Sequence, residues 1–172
     1  MNPDPGEEPQ SESRQDHPEV SKSKMMAYAG RLLGRREYAV RELESRLLRK
    51  WPKVEQIEQR VSELIQTLQS DGALSDERFA ESFIRSRRRR YQGPVKVRAE
   101  LRQRQVPDSV IEQNLMVFED EWTTLAATWL SQQSHEPLDF HGRARYYRRL
   151  VNRGFTHQQA MDALSKHSKT QT

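Results

Sequence analysis

The chain has no cysteine, seven scattered glycines and no long apolar run. Without cysteine there is no disulfide, no thiolate metal ligand and no cysteine nucleophile. The isolated glycines exclude a glycine-rich loop of the kind that cradles phosphates. No segment approaches the roughly 18 consecutive apolar residues that cross a bilayer, and the acidic N-terminus lacks the apolar core of a secretion signal. We therefore expect a cytoplasmic protein with no membrane partner.

Apolar residues are also scarce, at 34% of 172 residues, while 31% are charged. Typical globular chains are roughly 45 to 50% apolar, so the core must be thin. The net charge of +4 is unevenly distributed, because residues 1–20 hold six acidic residues against Arg14 alone and leave +9 on the remainder. This proline-rich segment predicts a disordered acidic tail, which is either a solubilising extension or a competitor of phosphates for the basic body.

The remainder of the chain predicts helices. Apolar residues recur at spacings of three and four from Val54 to Leu68, which predicts a helix from about Lys53 to Ser70. Ser75 and Thr156 are candidate N-caps of later helices. Further helix boundaries are marked by Asp71-Gly72, Gly93-Pro94, Pro107-Asp108 and Arg153-Gly154. No segment alternates convincingly with period two, so the predicted fold class is all-α.

Two later segments resemble each other without a gap. Leu101, Val106, Ile111 and Leu115 align with Leu150, Phe155, Ala160 and Leu164, and a looser copy begins at Leu43. Predicted helices over 24–33, 76–90 and 119–133 precede the three copies. We therefore predict an elongated array of three tandem three-helix repeats, similar to helix-turn-helix units, over 22–72, 73–118 and 119–167, with disordered ends at 1–21 and 168–172. Such an array explains the thin core, because each unit buries apolar surface on its neighbour.

Cations are concentrated in the second and third units. Between Arg85 and Arg104, nine cations face a single acidic residue, Glu100. In the third unit, Tyr147, Leu150 and Val151 are predicted to face inward, with arginines outside and no acid nearby in sequence. The first unit, in contrast, intersperses glutamates with its arginines. The candidate binding residues are Arg87, Arg88, Arg89, Arg90, Lys96, Arg98, Arg102, Arg104, Arg145, Arg148 and Arg149.

A basic surface of this kind suits nucleic-acid phosphates or an acidic protein groove, with a solvated face that has no partner as the third alternative. No basic helix carries the Asn and Gln pattern of a major-groove reader, so any DNA contact should be independent of base sequence and sensitive to salt. The five histidines form no i,i+4 pair on a predicted helix, and no other catalytic constellation is visible. We expect no enzyme, no metal and no cofactor.

Four blocks of the sequence, in order, resemble the signatures of a bacterial family. They are Leu33-Gly34-Arg35-Arg36-Glu37-Tyr38-Ala39-Val40-Arg41-Glu42-Leu43, then Asp76-Glu77-Arg78-Phe79-Ala80-Glu81-Ser82-Phe83-Ile84-Arg85-Ser86-Arg87, then Gly93-Pro94 with Val97-Arg98-Ala99-Glu100-Leu101, and finally Arg149-Leu150-Val151-Asn152-Arg153-Gly154-Phe155. Over about residues 25–165 the chain thus resembles the regulatory protein RecX family. The family often has glycine where Tyr91 and Gln105 stand, so the geometry of these two turns is in question.

We expect a monomer. The resemblance implies that it binds the RecA recombinase filament on single-stranded DNA, along the filament's helical groove. Family members limit filament extension or promote disassembly, and so lower ATP hydrolysis, strand exchange and co-protease activity in DNA repair and the SOS response. We also expect phosphate contacts to single-stranded DNA, with double-stranded DNA as an open alternative. The rival interpretation is a sequence-independent helical DNA-binding protein or a transcriptional regulator.

Overall fold

The computed structural model describes residues 21–134 and 138–170, without the side chains of residues 169 and 170. The predicted acidic tail, apart from Ser21, lies outside the described residues. Ser21 itself caps the first helix, because its Oγ accepts a hydrogen bond from the backbone N–H of Lys24 at 3.3 Å.

Nine α-helices follow one another in the described part of the chain, with no strand among them, so the all-α prediction is confirmed. A short 3₁₀ turn at Glu119–Glu121 precedes the seventh helix. The helices are α1 Lys22–Leu33, α2 Val40–Lys50, α3 Ile57–Ser70, α4 Asp76–Arg88, α5 Pro94–Gln103, α6 Asp108–Met116, α7 Trp122–Gln133, α8 Phe140–Asn152 and α9 His157–Thr170.

Four predicted boundaries differ from the structure. α1 begins at Lys22 and not at residue 24, and α7 begins at Trp122 and not at residue 119, where the 3₁₀ turn lies. The other two differences are the start of α3 and the end of α4. α3 begins at Ile57 and not at Lys53, because residues 52–56 form turns that end with Gln56 in the left-handed region at φ 53°. α4 ends at Arg88, so the next two arginines lie in a turn. The predicted N-caps are confirmed: Ser75 Oγ accepts from the N–H of Arg78, and Thr156 Oγ1 from the N–H of Gln159.

Three apolar clusters lie in succession along the chain. The first, around Leu43 and Leu64, joins α1, α2 and α3. The second, around Leu101, contains Ala39 and residues from α4 through Trp122. The third, around Leu150, joins α7, α8 and α9. The chain boundaries of the three units stay a prediction.

The second and third units share backbone detail as well as apolar positions. Leu101 and Leu150 are both fully buried, and the carbonyl of each accepts the N–H five residues later, at 3.3 and 3.2 Å. Between each pair lies a left-handed residue, Gln105 at φ 58° and Gly154 at φ 90°. The repeat therefore preserves a helix-ending turn even where glycine is replaced by glutamine.

The inner face of α8 is rotated from the predicted one. Tyr146 and Leu150 are buried, whereas Tyr147 is only half-buried and Val151 is 40% exposed. The prediction that Tyr147 and Val151 face inward is therefore wrong. Tyr146 and Leu150 lie one turn apart in the third apolar cluster, where the rings of Tyr146 and Trp129 meet edge to face. Residues one position further along the helix therefore point about 100° away.

Candidate functional site

Four of the candidate arginines form salt bridges within the chain. The Arg87 Nε lies 2.6 Å from Glu100 Oε2, and Arg88 pairs with Glu121. The Arg98 guanidinium binds both carboxylate oxygens of Glu112 at 2.6 and 2.8 Å, and Arg102 binds Asp108 at 2.7 Å. The expectation that these cations of the second unit lack acidic partners is therefore wrong.

The reason is that each of the four acids lies on a different element from the arginine with which it pairs. Glu112 and Asp108 lie on α6, against which α5 packs, so a count of neighbours along the chain does not find them. The Arg98 guanidinium lowers the pKa of the Glu112 carboxyl, mainly through their hydrogen bond. Arg102 lowers the pKa of Asp108 in the same way. These pairs connect α5 to α6, and their charges are already matched.

The other candidate cations form no salt bridge with a described residue. Arg104 donates to the Glu100 carbonyl at 2.8 Å and lies over the Phe83 ring, and Arg149 donates to Gln133 Oε1 and lies over Trp129. These contacts leave the positive charge unneutralised. The cations that remain available to an anionic partner are Arg89, Arg90, Lys96, Arg104, Arg145, Arg148 and Arg149.

Arginines of α8 lie on two sides of that helix. Arg145 and Arg149, one turn apart, lie over Tyr146, and Arg149 also reaches α7. Arg148 instead lies beside α9, in a groove with Met161 and Leu164. The structure therefore does not bring the three candidate arginines of α8 together as one patch.

Backbone hydrogen bonds join the second unit to the third. Gly93 N–H donates to the Arg153 carbonyl at 2.8 Å, and Val95 N–H donates to the Gly154 carbonyl at 2.9 Å. A Cβ built on Gly93 would lie 2.3 Å from Phe155 N, and one on Gly154 would lie 2.3 Å from the Lys96 Cβ. The close approach of the two backbones therefore requires glycine at both positions. We call this contact between the second and third units the joint.

Arg153 crosses the joint, and the sequence prediction did not include it. Its guanidinium donates to the carbonyls of Arg90 and Tyr91 at 3.0 and 3.3 Å and lies 4.5 Å from the centre of the Trp129 ring. Burial, followed by repulsion from Arg149, lowers its pKa from the usual arginine value. The sequence signal that could have identified Arg153 is its position in the Arg153-Gly154-Phe155 turn. Four cations lie at the joint, and none of them forms a salt bridge with a carboxylate of the described residues: Arg90, Lys96, Arg149 and Arg153.

A cleft of about 710 Å³ opens between the end of α4 and α7. Its wall is partly aromatic, because Tyr91 and Phe118 line it, and Arg88 lies 3.9 Å from the centre of the Phe118 ring. Arg85 and Arg89 lie at the same cleft. An apolar wall beside arginines suits a phosphate-bearing or carboxylate-bearing chain with flat or apolar groups.

No group of three or more His, Asp or Glu side chains within 21–134 and 138–170 could hold a metal ion. In the same part of the chain, no helix has the length and apolar character needed to span a membrane. The fold and these surfaces define a class: a helical protein of three-helix units that carries unneutralised cations on its surface.

Comparison with known proteins identifies the particular family. The family model described as "RecX, second three-helix domain" matches residues 75–115. "Regulatory protein RecX" of Chromohalobacter salexigens is 39% identical over 136 residues, which is 78% of this chain and 87% of that protein. The protein of the same name from Halorhodospira halophila is 38% identical over 135 residues, with 77% and 81% covered. The chain belongs to the RecX family of regulatory proteins.

The fold agrees with that assignment. The crystal structure of RecX from Lactobacillus salivarius superposes with a TM-score of 0.74 at 20% identity, covering 86% of this chain and 97% of that one. The prediction of an all-α array of three-helix repeats is thereby confirmed. RecX proteins are regulatory and not enzymes, which confirms the expectation of a non-enzymatic protein. The two substituted glycine positions, Tyr91 at φ 54° and Gln105 at φ 58°, keep the left-handed backbone.

Proposed function

We propose that this chain binds the RecA filament on single-stranded DNA and restrains RecA. Binding along the filament groove limits filament extension and thereby lowers ATP hydrolysis, strand exchange and co-protease activity. The observation that carries the proposal is family membership, through 39% identity over 136 residues to a RecX regulatory protein. The regulated processes are DNA repair and the SOS response.

The tandem arrangement of the units favours a partner that is itself a repeating assembly. A tandem array presents similar surfaces at regular intervals, and a helical filament does the same. The joint fixes the third unit to the second through two backbone hydrogen bonds and the Arg153 guanidinium. Because these contacts hold neighbouring units in place, less conformational entropy is lost when both units bind at once.

The unpaired cations support phosphate or carboxylate contacts in such a groove. Arg89 and Arg90 lie in the turn after α4, and Lys96 lies at the joint. Arg98 and Arg102 are weaker candidates than they were from sequence, because a partner anion would have to displace Glu112 and Asp108. Cations that bind phosphates without reading bases produce affinity that falls steeply with salt.

Co-sedimentation with preformed RecA filaments on single-stranded DNA tests the proposal. We expect the chain to pellet with filaments, and Arg89→Glu with Lys96→Glu to weaken that association about tenfold or more. A matched control, Arg98→Gln with Glu112→Gln, removes a charge pair that is already neutralised and should leave binding within about twofold. Helicity measured by circular dichroism verifies folding of each variant.

The outcomes separate the two functional hypotheses. Absence from the filament pellet at several-fold molar excess would refute the proposal. Binding to naked duplex DNA, without any association with RecA filaments, would instead support the sequence-independent DNA-binding protein.

A further inference from the structure

An apolar groove runs along the outside of the third unit. Phe140, Ala144, Tyr147 and Val151 recur at helical spacing on α8, and Phe140 is 80% exposed. Met161 of α9, 39% exposed, faces the same space, and the cleft between the helices has a volume of about 320 Å³. We call this feature the α8–α9 groove. An exposed apolar stripe of this kind, rimmed by charge, is typical of an interaction site.

The second unit closes the corresponding groove with ion pairs. Through the alignment of Leu101 with Leu150, Tyr147 and Met161 stand where that unit has Arg98 and Glu112. Those two residues form a bidentate salt bridge. The next pair, Arg102 with Asp108 at 2.7 Å, corresponds to Val151 and His157.

In the third unit no ion pair spans these positions among the described residues. One hydrogen bond remains, 2.9 Å between Tyr147 Oη and His157 Nδ1. The same fold therefore has a neutralised, bridged groove in one unit and an open apolar groove in the next. Structural need alone does not explain Tyr147, Val151 and Met161, because the second unit has charged residues at the corresponding positions.

Two arginines rim the α8–α9 groove. Arg148 forms no hydrogen bond or salt bridge with a described residue, and Arg143 donates to the neutral Ser168 Oγ at 2.7 Å. A positive rim around an apolar floor complements a peptide segment that carries carboxylates beside an apolar side chain. Nucleic acid fits less well, because Met161 and Ala144 offer no aromatic face for base stacking.

Two other occupants are disfavoured by their chemistry. The acidic tail of this chain has no aliphatic or aromatic residue from Asn2 to Glu19, so it has nothing to insert into the floor. A second copy paired through this face would bring Arg143 and Arg148 close to the same arginines of its partner.

We propose that the α8–α9 groove is the docking site for an acidic segment of a protein partner, which inserts an apolar side chain beside Phe140, Tyr147 and Met161. The proposal rests on the proposed function in one respect, since the partner is taken to be the RecA protomer of the filament. The third unit then contributes contacts to protein, and the cations of the joint contribute contacts to anions.

A transplanted ion pair provides the test. Tyr147→Arg with Met161→Glu gives the third unit the bridged groove of the second. Phe140→Ser is a second variant, and because Phe140 is 80% exposed, we expect this substitution to leave the fold intact. Met116→Gln is the matched control, because Met116 is 73% exposed and lies outside the groove. Co-sedimentation with RecA filaments and binding to the same single-stranded DNA alone are measured for all four chains.

We expect both groove variants to lose about tenfold or more in filament affinity, with unchanged affinity for the DNA alone. The control should bind filaments as the unmodified chain does. Unchanged filament affinity in both groove variants would overturn the groove proposal and leave the proposed function standing. Equal losses of affinity for filaments and for DNA alone would overturn the groove proposal and indicate a nucleic-acid surface. If the unmodified chain self-associates and the groove variants do not, the groove proposal is overturned in favour of a second copy as the occupant. Failure of the unmodified chain to bind filaments would overturn both proposals.

Discussion

A single methyl group added at Gly93 should open the joint between the second and third units. Gly93 has an ordinary backbone conformation, φ −82°, so alanine introduces no dihedral strain there. Its Cβ would lie 2.3 Å from Phe155 N and 2.4 Å from the Gly154 carbonyl carbon and oxygen. These are backbone atoms that cannot rotate away, so the two units have to separate.

The expected loss follows from the contacts at the joint. Two backbone hydrogen bonds, from Gly93 N–H and Val95 N–H, contribute about 0.5 to 1.5 kcal/mol each. The charged donor of Arg153, bound to two carbonyls, adds about 1.5 to 3 kcal/mol. Since relaxation recovers part of this, Gly93→Ala should lower the free energy of unfolding by about 2 to 5 kcal/mol.

Urea unfolding followed by tryptophan fluorescence measures this loss, because Trp129 lies beneath Arg153 at the joint. Gly30→Ala is the matched control: a Cβ there meets nothing within 4 Å, and the position lies inside α1. It should raise the free energy of unfolding by about 0.5 to 1 kcal/mol. A Gly93→Ala chain within about 0.5 kcal/mol of the unmodified protein would refute the reasoning.

Three further changes test other parts of the account. Gln105→Gly relieves the strain at φ 58° and should raise the free energy of unfolding by up to about 1 kcal/mol, which a higher thermal midpoint would show; a lower midpoint would contradict it. Because Arg98 lowers the pKa of Glu112, ionised Glu112 stabilises the fold above its ordinary pKa, and that stability is lost as the pH falls through the lowered value. Glu112→Gln should therefore cost up to about 1 kcal/mol at neutral pH and progressively less as the pH falls below the ordinary glutamate pKa, so an equal cost at neutral and at acidic pH in urea unfolding would disprove the link. Arg89→Glu with Lys96→Glu should flatten the fall of log K with log salt by about 0.7 per lost single-strand phosphate contact, and an unaltered slope would remove both residues from the DNA.

Helix positions and apolar faces were largely predictable. Glycine and proline punctuation located the start of α5, and the recurrence of Leu101 as Leu150 predicted the repeat. These signals are local, because caps and periodicity depend on residues within a few positions. The turn before α3 was missed, since Val54 and Ile57 continue the apolar spacing although residues 52–56 are not helical.

Charge pairing was not predictable in the same way. Arg88 and Glu121 are 33 residues apart in sequence and meet only once α4 and the turn before α7 are packed. The sequence correctly located a concentration of cations, but the fold decides which of them keep an unneutralised charge. The prediction of which face of α8 is buried failed for a related reason. Tyr146 and Tyr147 are chemically alike, and only packing against Trp129 selects Tyr146 as the buried residue.

The rate of RecA's single-strand-dependent ATP hydrolysis, measured while this chain is titrated in, tests the central claim most directly. A restraint on filament extension predicts that turnover falls as the chain is added, and that Arg89→Glu with Lys96→Glu requires a higher concentration for the same inhibition. Turnover that stays constant at several-fold molar excess over RecA would contradict the account.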